Sequence, residues 1–100
     1  MATSKVHEPI TPGEILRTEF LEPLGITQYR LAQATGLAQT RISEIVRGKR
    51  RISPDTALRF SRALGVSDGF WIAIQNDYDL EMARDTHSEE LAAIETLVNT

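Results

Sequence analysis

Signals that begin and end helices recur along most of this 100-residue chain. Two segments, Thr11–Glu14 and Ser53–Asp55, place a hydroxyl residue directly before a proline, which is the usual order at a helix N-terminus. Apolar residues follow at helical spacing, and glycines close the runs at positions 25, 36, 48 and 65. No segment keeps the strict alternation of a strand. We therefore predict an all-α fold of five helices, beginning near Thr11, Thr27, Ala38, Ser53 and Ser67, and a short tail helix beginning near Ser88.

The length and composition restrict the class of protein. A chain of 100 residues with 41% hydrophobic and 25% charged residues is typical of one globular domain. The absence of cysteine excludes disulfides and thiolate metal sites, and no apolar run is long enough for a membrane span or a signal peptide. A cytoplasmic protein is the expectation. We expect residues 1–10 to form a flexible arm, residues 11–85 the folded domain and residues 86–100 an acidic tail helix.

The charge is distributed unevenly along the chain. The net charge of −3 is by itself unusual for a nucleic-acid-binding domain, which is normally basic. Residues 1–65, however, carry ten basic and six acidic side chains, a balance of +4, whereas residues 66–100 carry one basic and eight acidic side chains, a balance of −7. This asymmetry indicates two surfaces with different partners.

The segment 28–52 has the spacing of a helix-turn-helix. Its two predicted helices are joined by a tight turn at Gly36, where glycine can adopt a left-handed backbone conformation. Small or apolar residues occupy the positions at which two crossing helices touch: Leu31, Ala32, Leu37, Ile42 and Ile45. The outer face of the second helix is left polar and free for recognition.

The residues on that face match the chemistry of DNA. Gln39, Thr40 and Arg41 are the predicted base readers, with Glu44 as a fourth candidate, because Gln pairs with adenine, Arg with guanine and the Thr methyl with the thymine methyl. We expect phosphate contacts from Ser43, Arg47, Lys49, Arg50 and Arg51, which fix the register without reading sequence. A solvated helix face would have a similar composition, so each assignment remains a hypothesis.

Residues 25–65 resemble the Cro/repressor-type (Xre) helix-turn-helix domain, which has Gln at the start of both motif helices, as at Gln28 and Gln39. The resemblance implies a compact lambda-repressor-like domain in which Gln28 lies beside a backbone phosphate and supports Gln39. Two positions depart from the pattern: Ala38 cannot cap the second motif helix, and Thr35 stands in an apolar position before the turn glycine.

A wider resemblance covers about residues 7–84. The segments His7–Leu16, Phe70–Trp71 and Gln75–Leu80 are similar to those of HigA-type antitoxins. The resemblance implies a homodimeric repressor that binds an inverted repeat in its own operator and silences a small HigB/RelE-like mRNA endonuclease. It implies no catalytic residue and no cofactor. The alternative is a stand-alone Xre-type regulator without a toxin partner.

Apolar residues in the last third of the chain have two interpretations. One group lies on the fifth predicted helix and forms either a core stripe or a surface for a dimer mate or partner: Phe70, Trp71, Ile74 and Tyr78. A second group lies along one side of the predicted tail helix and also needs a partner to bury it: Leu91, Ile94 and Val98. The acidic residues between 77 and 95 would suit a basic toxin. The two histidines, His7 and His87, lack metal-ligand spacing, and no nucleophilic triad or phosphate-binding loop supports an enzyme.

Overall fold

The computed structural model describes residues 8–99, and within them all regular structure is helical, in six helices. The first, α1 (residues 12–24), joins an α-helical turn Pro12–Ile15, a π-helical stretch Leu16–Leu21 and a closing turn Glu22–Leu24. The others are α2 (Gln28–Thr35), α3 (Gln39–Val46), α4 (Pro54–Leu64), α5 (Phe70–Thr86) and α6 (Ser88–Ala92). The all-α prediction is confirmed, whereas residues 1–7 of the predicted flexible arm lie outside the described part.

The predicted start signals act as N-caps in three of these helices. The hydroxyls of Thr11, Thr27 and Ser53 each accept a hydrogen bond from the backbone N–H three residues later, at 3.1, 3.0 and 3.3 Å. The π-helical stretch ends at Leu21, two residues before Pro23, which lies inside α1. Pro23 has no N–H to donate to the carbonyl four residues earlier. The helix widens just before the proline, where the Glu22 N–H donates to the carbonyl of Arg17, five residues back.

Two predicted boundaries near the C-terminus are wrong. The fifth helix begins at Phe70 rather than at Ser67, because the Asp68 carboxylate accepts two hydrogen bonds from Arg62 instead of capping the helix. The tail helix ends at Ala92, so Ile94 and Val98 follow it in irregular chain.

The core is built around one buried tryptophan. Trp71 is 0% exposed and packs against three phenylalanines, Phe20, Phe60 and Phe70, at ring-centroid distances of 5.1, 5.9 and 5.3 Å. Leu16, Leu31, Ile42, Ile45 and Ile52 belong to the same buried cluster. The assignment of Trp71 to a partner surface is therefore wrong, because this side chain fills the space between α1, α4 and α5.

The first helix approaches the third at backbone contact. Gly13 is buried, and a Cβ atom at this position would collide with the carbonyl oxygen of Ile45 and lie 2.9 Å from the Cα of Val46. Only glycine therefore lets the start of α1 pack on the end of α3. This contact fixes the position of the helix that carries the predicted base readers.

An exposed ion pair holds the connection between α4 and α5. Two hydrogen bonds from Arg62 hold the pKa of the Asp68 carboxyl below its ordinary value, so the pair contributes stability at neutral pH that is lost as the pH falls through this lowered pKa. We expect Asp68→Asn to lower the urea unfolding midpoint slightly at pH 7 and to have less effect near pH 2. An equal effect at both pH values would show that the pair does not contribute in this way.

Candidate nucleic-acid interface

The turn between α2 and α3 has the conformation that the sequence predicts. Gly36 has a φ of 76° and ends α2 by donating its N–H to the carbonyl of Ala32 at 2.9 Å. Leu31 on α2 and Ile42 and Ile45 on α3 are buried between the helices and the rest of the core. Because these apolar residues anchor one side of α3, the opposite side faces outward.

The four predicted base readers all keep some exposure to solvent on α3, with Arg41 at the flank of the buried side because it is four residues before Ile45. Gln39 and Thr40 are exposed, and Arg41 and Glu44 are half-buried. The Glu44 carboxylate accepts a hydrogen bond from Arg50 at 2.7 Å, so it is engaged within the protein, whereas no carboxylate of residues 8–99 pairs with Arg41. Gln39 and Arg41 are the first and third residues of α3, and in helix-turn-helix proteins the N-terminal residues of the second helix are the ones that reach base edges.

The predicted phosphate-binding side chains follow α3 directly. Arg47, Lys49, Arg50 and Arg51 are all exposed, and Ser43, one turn before Arg47, accepts a hydrogen bond from it at 3.4 Å. Arg51 is paired with Asp79 of α5. Neither Arg47 nor Lys49 forms an ion pair with any residue between 8 and 99. Gln28 is half-buried at the first position of α2.

A buried amide connects α5 to this basic segment, and the sequence did not assign it a role. Gln75 is 2% exposed. Its Oε1 accepts the Ile52 N–H at 2.8 Å, and its Nε2 donates to Asp79, the partner of Arg51, at 2.9 Å. In the sequence, the only sign of this role was that Gln75 is a polar residue within an otherwise apolar helical stripe. Gln75 therefore positions the chain that follows the basic segment.

Replacing this amide by an apolar side chain should destabilise the protein. We expect Gln75→Leu to lower the free energy of unfolding by about 1–3 kcal/mol, because the buried Ile52 N–H loses its acceptor. The neighbouring Asn76 is exposed, so Asn76→Leu is a matched control with an expected change within about 0.5 kcal/mol. Denaturant unfolding of both variants tests this, and equal stabilities would contradict the role of Gln75.

An arginine of α4 stabilises the end of α2. Arg59 donates to the Thr35 carbonyl at 2.7 Å and to the Asp55 carboxylate at 2.9 Å. The unusual Thr35 is buried, and its hydroxyl donates to the Leu31 carbonyl at 2.7 Å, so its polar atom is satisfied. At Ala38 no side chain caps α3. Arg59 itself is exposed, and nothing in the sequence signalled its contact with Thr35.

The residues predicted for a dimer or partner surface differ in their exposure. Phe70, Ile74 and Tyr78 are half-buried along α5, whereas Leu91, Ile94 and Val98 are 46%, 68% and 68% exposed. The described residues contain no group of three or more His, Asp or Glu side chains that could hold a metal ion. No helix among them is both long and apolar enough to span a membrane.

Comparisons with known proteins agree with this geometry. A helix-turn-helix family model matches residues 18–71. The chain is 49% identical over 74 residues to virulence-associated protein I of Dichelobacter nodosus, covering 74% of this chain and 68% of that protein. It is 37% identical to antitoxin HigA-1 of Vibrio cholerae, covering 91% and 86%. The structure of Pseudomonas aeruginosa antitoxin HigA with the higBA promoter is also similar, with a TM-score of 0.83, 38% identity and coverage of 91% and 100%.

Proposed function

Because the chain belongs to the helix-turn-helix family, among the HigA-type antitoxins, we propose that it is a homodimeric repressor of its own operon. This family consists of DNA-binding antitoxins and regulators rather than enzymes. The observation that carries the proposal is the outward polar face of α3, followed directly by the exposed cations of residues 47–51. A similar chain has been seen with promoter DNA.

In the proposed complex, α3 of each protomer lies in the major groove. Gln39, Thr40 and Arg41 read base edges, while Arg47 and Lys49 hold phosphates on either side of the groove. Arg50 and Arg51 can turn to phosphates from Glu44 and Asp79, their present partners. Because two protomers related by a two-fold axis read two half-sites, the operator is an inverted repeat with half-sites about one helical turn apart, or a multiple of it.

The dimer surface is also part of the proposal. Leu91, Ile94 and Val98 are exposed apolar side chains close together in sequence, and burial against a second copy would remove them from water. Phe70 retains enough exposure to contribute to this dimer surface from α5, whereas Ile74 and Tyr78, also half-buried, lie farther along α5 and are available to another partner. Trp71 does not contribute, because it is fully buried.

The second proposed activity is neutralisation of a HigB/RelE-like toxin, an mRNA endonuclease encoded beside the gene. The similarity to antitoxin HigA-1 over 91% of the chain supports this assignment. A protein that binds bacterial operator DNA and an mRNA endonuclease acts in the cytoplasm, so we place it there. The alternative is a stand-alone regulator, in which α3 has the same role and no toxin exists.

Two measurements test the proposal. The DNA upstream of the gene should contain an inverted repeat that the protein protects from cleavage, and the adjacent short reading frame should yield a protein that co-purifies with this chain. Binding of the upstream DNA without any co-purifying protein would favour the stand-alone regulator. Failure to bind this DNA would contradict the repressor assignment.

A further inference from the structure

A separate groove lies between residues 8–10, α1 and α5. Its volume is about 380 Å³, and no residue of α2, α3 or the 47–51 segment lines it. Three isoleucines, Ile10, Ile15 and Ile74, provide its apolar lining, and Ile10 is 59% exposed. The groove is therefore an apolar surface distinct from the proposed DNA interface.

Carboxylates surround this apolar lining. Glu8, Asp77 and Glu81 line the same groove and are exposed, and no Lys or Arg is among the lining residues. On α5, Ile74, Asp77 and Glu81 lie on one face because they are three and four residues apart. None of the three carboxylates forms an ion pair with any residue from 8 to 99, unlike Asp55, Asp68 and Asp79. The negative charge of the groove is thus not compensated within that part of the chain.

The isoleucines and carboxylates together indicate which kind of partner would fit the groove. An amphipathic segment with Lys or Arg on one side would bury its apolar side on the isoleucines and pair its cations with the carboxylates. DNA does not fit, because its phosphates would meet like charges. A second copy of this chain does not fit either, because its concentrated basic segment, residues 47–51, belongs to the DNA interface.

We propose that this groove binds a cationic, amphipathic segment of the toxin. The inference rests on the proposed antitoxin function and assigns a surface to it. An mRNA endonuclease needs cations to hold the phosphates of its substrate. Carboxylates of the groove that pair with those cations take the place of the RNA phosphates, so binding would block access to the RNA. The groove and α3 share no residue, so a toxin segment in the groove does not itself cover the predicted base readers.

Paired double variants with equal charge change test the groove. Asp77→Asn with Glu81→Gln removes two carboxylates from it, whereas Asp85→Asn with Glu89→Gln removes two exposed carboxylates that do not line it. The probe is the purified protein from the adjacent reading frame, titrated into each full-length variant by calorimetry. We expect the groove variant to bind it about tenfold more weakly at low salt, with a smaller salt dependence, and the control to bind within about twofold. Operator affinity should be equal in both.

The outcomes separate this inference from the proposed function. If the unaltered protein fails to bind the toxin, the antitoxin assignment itself is wrong. If the unaltered protein binds and the two double variants bind equally well, the toxin uses another surface and the groove assignment is wrong. If the groove variant instead changes the sedimentation of the toxin-free protein and keeps its toxin affinity, the groove is a contact between copies of this chain, which also overturns the proposal.

Discussion

Gly13→Ala is expected to lower the free energy of unfolding by about 3 kcal/mol, which is the upper end of the usual cost of adding a methyl group to a well-packed interior. The added Cβ would meet the Ile45 carbonyl and the Val46 Cα, which are backbone atoms and cannot move away as a side-chain end can. Relief requires that α1 and α3 separate, and this opens the core around Leu16 and Ile45. Operator affinity should fall with stability, because the position of α3 depends on this contact.

Gly69→Ala is the matched control for this variant. Gly69 has a φ of −87°, which any residue adopts, and no atom lies within 4 Å of a Cβ built there. Thermal unfolding at one fixed protein concentration should show a decrease in Tm of about 12–24 °C for Gly13→Ala and almost none for Gly69→Ala. If both variants unfold at the same temperature, α1 and α3 are not in backbone contact.

The double variant Arg47→Ala/Lys49→Ala is expected to weaken operator binding by about 100-fold or more. Each protomer loses two cations that have no ion-pair partner among residues 8–99, so a dimer loses four phosphate contacts. Since each contact contributes about 0.9 to the slope of log K against log salt concentration, the slope should decrease by about 3 to 4. Filter binding over a range of salt concentrations measures both quantities.

The control variant Arg62→Ala/Arg84→Ala removes the same charge at two positions outside the 47–51 segment. Arg62 lies on α4 and is paired with Asp68, and Arg84 lies near the end of α5, so neither residue belongs to the segment that follows α3. The control should change the salt slope by less than about 1. Equal slopes for the two double variants would mean that the whole charge of the protein, and not the 47–51 segment, attracts DNA.

Local rules were sufficient to predict the all-α fold and the exposed side of α3. The caps at Thr11, Thr27 and Ser53 each join atoms only three residues apart. The turn at position 36 has a φ of 76°, a backbone conformation that favours glycine. Such features are visible in a sequence because both partners are close along the chain. The exposed side of α3 follows from the same periodicity that buries Ile42 and Ile45.

The contacts that were missed join residues far apart in sequence. Gln75 meets the Ile52 N–H across 23 positions, and Arg59 meets the Thr35 carbonyl across 24. The sequence around Trp71 fits either a core or a surface position, and only the packing of α1 and α4 against it decides for the core. The start of α5 was misplaced because Asp68 has two available roles, a cap and an ion-pair partner, and only the position of Arg62 decides between them.

The central claim, that α3 reads bases while the segment after it holds phosphates, is tested most directly by Arg41→Ala. The variant and the unaltered protein are titrated against operators that each carry one substituted base pair. We predict that the unaltered protein discriminates at each position it reads by about 1–3 kcal/mol, and that Arg41→Ala loses discrimination at one base pair per half-site while keeping it elsewhere. Equal weakening on every operator, with all preferences retained, would contradict this account, because Arg41 would then contact only phosphate.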